Sequence, residues 1–142
     1  MTGTHSLQVE REIPASIERV FDAWLHPQSV REWMRPGPGM TVPSVAIDAK
    51  VGGKYLIVMA SPERELPHEG EYQVIDRPNK LVFTWISEPA GSSVVTILFE
   101  KVSDTSTRVV LVHEKLPTEQ SRDGHAGGWE AILGELERTL TT

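Results

Sequence analysis

Polar and apolar residues alternate cleanly from Leu7 to Ile13 (LQVEREI). Leu7, Val9, Arg11 and Ile13 share one face, and Gln8, Glu10 and Glu12 share the other. That period of two predicts a half-buried strand with one solvent face. Pro14 ends the strand, and Ser16 is placed to cap a helix carrying Ile17, Val20, Phe21, Trp24 and Leu25 at helical spacing. Pro27 breaks that helix, and a second short one follows with Val30, Trp33 and Met34 on one side. Arg35–Gly39 (RPGPG) reads as a loop.

From Thr41 to about Lys115 the helical period gives way to short strand-like runs. They are Val42–Ile47, Lys54–Ala60, Gly70–Asp76, Leu81–Ile86, Val94–Val102 and Thr107–Glu114. Between them lie Gly52-Gly53, a polar loop at Pro62–Pro67, the turn Arg77-Pro78-Asn79, a hairpin-type loop at Pro89–Ser92 and the turn Ser103–Ser106. Strands this closely spaced pair as an antiparallel meander, because parallel crossovers need about a dozen residues or more. Pro117 and Thr118 open a last helical region in which Trp129, Leu133, Leu136 and Leu140 form one apolar stripe. A meander with one apolar face needs a cover, and only this helix is long enough to supply it. Gly124, Gly127 and Gly128 fall within it. Each interior glycine costs roughly 0.5–1 kcal/mol relative to alanine, so three together imply either a close pass over the sheet or room left for a ligand.

Composition narrows the function classes. The chain has 142 residues, enough for one domain over residues 1–142 with a flexible tail at 1–6. Lys and Arg number 14 against 20 Asp and Glu, a net charge of −6. That balance speaks against nucleic-acid binding, which needs a positive footprint. The longest apolar run is Leu56–Ala60, far short of the roughly 20 residues of a membrane span, and no signal-like segment opens the chain. A cytoplasmic protein without a membrane partner is the expectation. Cysteine is absent, which excludes disulfides and thiolate chemistry. The five histidines show no ligand spacing, so no metal is expected. No phosphate-binding or nucleophile-elbow motif occurs, and no cofactor is expected. The acidic stretch Glu63–Glu71 reads as a solvated hairpin.

Several segments together resemble one family. They are the strand–Pro–helix opening with Trp24 and Trp33, GGKY at Gly52–Tyr55, EGEY at Glu69–Tyr72, RPNKLVFTW at Arg77–Trp85 and GHAGGWEAILGEL at Gly124–Leu136. The chain resembles the activator of Hsp90 ATPase homologue-like family of the START/Bet v 1-like (SRPBCC) superfamily from about Leu7 to Leu140. The resemblance implies an α+β helix-grip fold, in which a curved antiparallel sheet of six to seven strands wraps a long C-terminal helix. Two short helices follow strand 1. It also implies a cavity between sheet and helix that takes hydrophobic or aromatic small molecules. An Hsp90-type chaperone partner is not expected, because the sequence carries no counterpart of the eukaryotic cochaperone's additional domain. A homodimer is compatible with the sequence.

If the sheet wraps the helix, one alternation set per strand faces the cavity. The ligand-binding candidates are Arg11 on the first strand, then Tyr55, Ile57 and Met59, then Phe83 and Trp85, then Ile97, then Leu111 and His113. The helix contributes His125, Trp129 and Leu133. Most such positions only fill a core, so the polar members discriminate best. Arg11 needs an acidic partner, an anionic ligand or solvent, because a buried unpaired guanidinium is very costly. Trp85 and Trp129 offer stacking surface and an N–H donor. His113 and His125 could hydrogen-bond a ligand or move a proton at the cavity mouth. Trp24 and Trp33 are expected to pack the short helices on the sheet edge. No carboxylate is spaced to orient either histidine, so no catalytic residue is assigned. A hydrophobic-ligand binding module is the leading expectation. A cyclase- or hydrolase-type enzyme acting on a bound aromatic substrate, or a chaperone-associated interaction module, is the alternative.

Overall fold

The computed structural model describes residues 3–88 and 90–141. Met1 and Thr2 of the expected tail, Pro89 of the expected hairpin loop, and Thr142 lie outside the described residues. The element order is β1 (His5–Ile13), α1 (Ile17–Ala23), α2 (Pro27–Trp33), β2 (Thr41–Ile47), β3 (Lys54–Ala60), β4 (Glu65–Asp76), β5 (Lys80–Ser87), β6 (Gly91–Ser103), β7 (Ser106–Leu116) and α3 (Glu119–Thr141). The strands form one antiparallel sheet in the order β1-β7-β6-β5-β4-β3-β2. This curved seven-stranded sheet with a long C-terminal helix is the helix-grip fold.

The local reasons follow from the residues. Ser16 caps α1 by accepting from the Arg19 backbone N–H, as its position predicts. Pro27 does more than end the first helix: it sits in the first turn of α2, where a missing N–H costs nothing. β1 starts at His5, inside the stretch expected as a tail, because His5 pairs with Leu116. The largest departure is β4. Its first residues fall in the expected Pro62–Pro67 loop, yet Leu66, Pro67 and His68 pair with Met59, Val58 and Ile57. Leu66, His68, Gly70 and Tyr72 then alternate on one face, while Glu65, Glu69 and Glu71 are exposed on the other.

The sheet's inner face is dense with aromatic rings. Tyr55 lies across from Gly70 and donates its hydroxyl proton to the Thr84 carbonyl at 2.6 Å. A Cβ on Gly70 would stand 1.9 Å from that carbonyl oxygen and 2.8 Å from the Tyr55 ring, so only glycine admits this cross-strand strut. Tyr55, Tyr72 and Phe83 pack with centroids 5.5–6.1 Å apart. Trp24 and Trp33 do not stop at the sheet edge. They stack edge-on at 4.6 Å, and Trp24 reaches Phe99 of β6 and Trp129 of α3 at about 6.5 Å.

α3 has two unlike halves. Its C-terminal half buries Leu133 and Leu136 and is tied down by two ion pairs. Arg11 of β1 donates to Glu137 at 2.8 Å, and Arg35, just after α2, donates to Glu135 at 2.9 Å. Its N-terminal half carries three of the helix's four glycines, Gly124, Gly127 and Gly128, and borders a space on the side of β3, β4 and β5.

Candidate functional site

Beneath the N-terminal half of α3 lies a cleft of about 530 Å³. Met59, Leu66, His68 and Trp85 form its sheet side. Gly124, His125, Gly128, Trp129 and Ile132 form its helix side. Pro36, Thr118, Gln120 and Ser121 complete the rim. The volume fits a small ligand, and the lining is largely apolar with a few polar groups. Among the described residues, no Asp, Glu, Lys or Arg lines it. Gly124 has nothing within 4 Å of a notional Cβ, and at Gly128 that atom would only touch Pro36 at 3.4 Å. The glycines therefore leave space; the helix does not press on the sheet there.

Of the twelve residues expected to bind a ligand, the structure brings four to this cleft: Met59, Trp85, His125 and Trp129. Tyr55, Ile57, Phe83, Ile97, Leu111 and Leu133 are buried among other side chains and do not line it. Arg11 lies outside it as well. Its side chain is 42% exposed and paired with Glu137, so the guanidinium finds both solvent and an acidic partner on the surface. His113 is wholly buried behind the cleft wall. His68, Leu66 and Ile132 are cleft residues that the sequence reading missed. The alternation Leu66–His68 was masked by the flanking prolines and glutamates, and Ile132 sits three residues after Trp129 on the same helix face.

The polar groups form a defined network. Trp129 Nε1 donates to His113 Nδ1 at 3.0 Å. An indole nitrogen only donates, so the His113 proton is on Nε2, which donates to Ser93 Oγ at 2.7 Å. The Ser93 hydroxyl in turn donates to the Trp85 carbonyl at 2.7 Å. Both ring nitrogens of His113 are thus used. Burial, helped by the nearby His125 ring, holds its pKa down to about 3. On α3, His125 Nδ1 donates to the Ser121 carbonyl at 2.7 Å, which leaves the Nε2 lone pair available. Burial lowers the His125 pKa against that hydrogen bond, and burial brings His68 down to about 4. All three rings are therefore neutral near pH 7. Among the described residues no carboxylate hydrogen-bonds to any of them.

Four rings enclose the space. Trp85 and Trp129 lie 4.9 Å apart, His68 lies 4.7 Å from Trp85, and His125 lies 5.0 Å from His113. Trp85 Nε1 and His68 Nδ1 are buried with no hydrogen-bond partner among the described residues. The arrangement can hold an apolar, ring-bearing molecule and offer it a small number of neutral hydrogen-bonding groups.

A curved antiparallel sheet with a cleft under its terminal helix is the fold of the SRPBCC/Bet v 1-like superfamily. Within it, the chain belongs to the family described as Activator of Hsp90 ATPase homolog 1-like protein, whose profile matches residues 14–141. Solved structures share the fold. Protein CV1439 from Chromobacterium violaceum superposes with a TM-score of 0.87 at 23% identity, covering 96% of this chain and 97% of that one. The AHSA1 (SPO3351) protein from Silicibacter pomeroyi gives 0.83 at 25% identity, covering 96% and 97%. The AHSA1-like protein from Aeromonas hydrophila gives 0.80 at 20% identity, covering 95% and 91%. No curated protein matches the chain. No helix among the described residues is long and apolar enough to cross a membrane.

Proposed function

We propose that this protein binds an apolar, ring-bearing small molecule in the cleft between the first half of α3 and strands β3–β5. The observation that carries this reading is the pairing of Trp85 with Trp129 across an uncharged, glycine-relieved space of about 530 Å³. Filled cores do not leave that volume beside two indoles. Binding is favoured over catalysis because His113 is consumed by structural hydrogen bonds and neither cleft histidine has a carboxylate to orient it.

Titration with the neutral fluorophore N-phenyl-1-naphthylamine tests the reading. One saturable site with quenched tryptophan emission is expected. Gly124→Leu should abolish it while leaving the fold intact, because its side chain would project into open space. Absence of saturable binding, or unchanged binding in Gly124→Leu, would overturn the assignment.

A further inference from the structure

The cleft has a direction. On its helix side, Gln120, Gly124, Gly128 and Ile132 recur every fourth residue, so they form one row along one face of α3. Exposure falls steadily along that row. Gln120 and Gly124 are exposed, Gly128 is half-buried and Ile132 is buried. The neighbouring row repeats the trend, from half-buried Ser121 and His125 to buried Trp129. From Gln120 to Ile132 the row runs roughly 18 Å, at about 1.5 Å of rise per residue.

Polarity follows exposure. Thr118, Gln120 and Ser121 line the open end, whereas the buried end holds Ile132 and Trp129, with Trp85 4.9 Å from Trp129. A charged group carried to the buried end would lose its hydration with no ionic partner in the described lining. The same group at the open end keeps its water. Apolar surface gains most at the buried end, where it leaves water completely.

We propose, on the reading of the cleft as a small-molecule site, that its ligand is an elongated amphiphile: a ring system seated against Trp85 and Trp129, and a hydrophilic head group on an apolar tether that ends in water beside Gln120. The sign of the head group's charge is secondary, since hydration rather than an ion pair holds it at the mouth. A ring that bears its charge directly fails, because seating the ring draws the charge inward.

Calorimetric titration at pH 7.5 with naphthalene, 2-naphthoate, 6-(2-naphthyl)hexanoate and 6-(2-naphthyl)hexyltrimethylammonium tests this. Naphthoate should bind at least tenfold more weakly than naphthalene, and both tethered ions should bind at least as tightly as naphthalene. Two pairs of variants locate the head group. Gln120→Lys should favour the tethered carboxylate and Gln120→Glu the tethered ammonium. The ratio of the two affinities should therefore shift by about tenfold between these variants, the summed attraction and repulsion at an exposed site. Gln8→Lys and Gln8→Glu make the same changes of net charge on an exposed position of β1, at the opposite edge of the sheet from β2. They should leave the ratio at its wild-type value. Naphthoate as tight as naphthalene, tethered ions no tighter than naphthoate, or a ratio that is unmoved at position 120 or moves equally at position 8 would overturn the proposal while leaving the cleft a ligand site. Failure of all four compounds to bind would overturn both.

Discussion

The indole nitrogen of Trp129 donates to Nδ1 of His113 across the α3–β7 boundary at 3.0 Å, which makes one buried imidazole the pin between the long helix and the sheet. The ring's other nitrogen reaches Ser93 on β6, and Ser93 reaches the backbone of β5. Three strands and the helix therefore meet in a single chain of hydrogen bonds.

Removing that pin should be costly. His113→Leu keeps the bulk but leaves the Trp129 N–H and the Ser93 hydroxyl short of a partner in a dry interior. A loss of about 2–4 kcal/mol in urea unfolding is expected. A loss below about 1 kcal/mol would show that the network does not hold the helix down.

The same burial makes stability depend on pH. In the fold His113 titrates at about 3 and His68 at about 4, against an ordinary value of 6.5. Between those limits the unfolded chain binds more protons than the native one, so stability rises with pH. The contribution is complete above about pH 6.5 and is lost as the pH falls toward the native values, at about 1.4 kcal/mol per pH unit for each ring. Unfolding free energies measured from pH 7 to 4 should fall more steeply for the wild type than for His113→Leu. Parallel curves would refute the assignment.

The glycines of α3 separate stability from binding. Gly127 is exposed, has nothing near a notional Cβ and does not line the cleft. Gly127→Ala should stabilise the protein by about 0.8–1 kcal/mol with ligand affinity unchanged. Gly124→Ala should give a similar gain in melting temperature but weaken binding, since Gly124 lines the cleft. Identical binding by the two variants would mean that the cleft is not the site.

Arg11 should matter little to either property. Its partner Glu137 is also about one-third exposed, and such surface pairs contribute at most about 1 kcal/mol. Arg11→Ala should leave binding of a neutral probe intact. A tenfold loss of affinity would return this side chain to the site.

The architecture was legible because its signals are periodic. Alternation marked β3 at its observed bounds, Lys54–Ala60, and the Trp129–Leu133–Leu136 stripe marked the covering helix. The site was only partly legible. Alternation identifies the inner face of every strand but not where along it packing gives way to space. Ile97 and Leu111 share the face of Trp85, yet they are wholly buried among other side chains. His68 was hidden by composition, since Pro67 and its acidic neighbours resemble a loop until β3 is seen to pair with them. The fate of Arg11 and His113 depended on partners 126 and 16 residues away, and no local pattern carries those.

The two anchors of α3 have a dynamic corollary. Glu135 and Glu137 moor the helix near its C-terminal end, whereas the opposite end rests on a hollow and is weakened by three glycines. Thermal fluctuations should then bend the turns ahead of Trp129, beyond the part of the helix that the His113 pin and the two ion pairs hold. Backbone amides at 122–128 should exchange with deuterium sooner than those at 132–138, and the doorway to the hollow would be the loosely held turn itself.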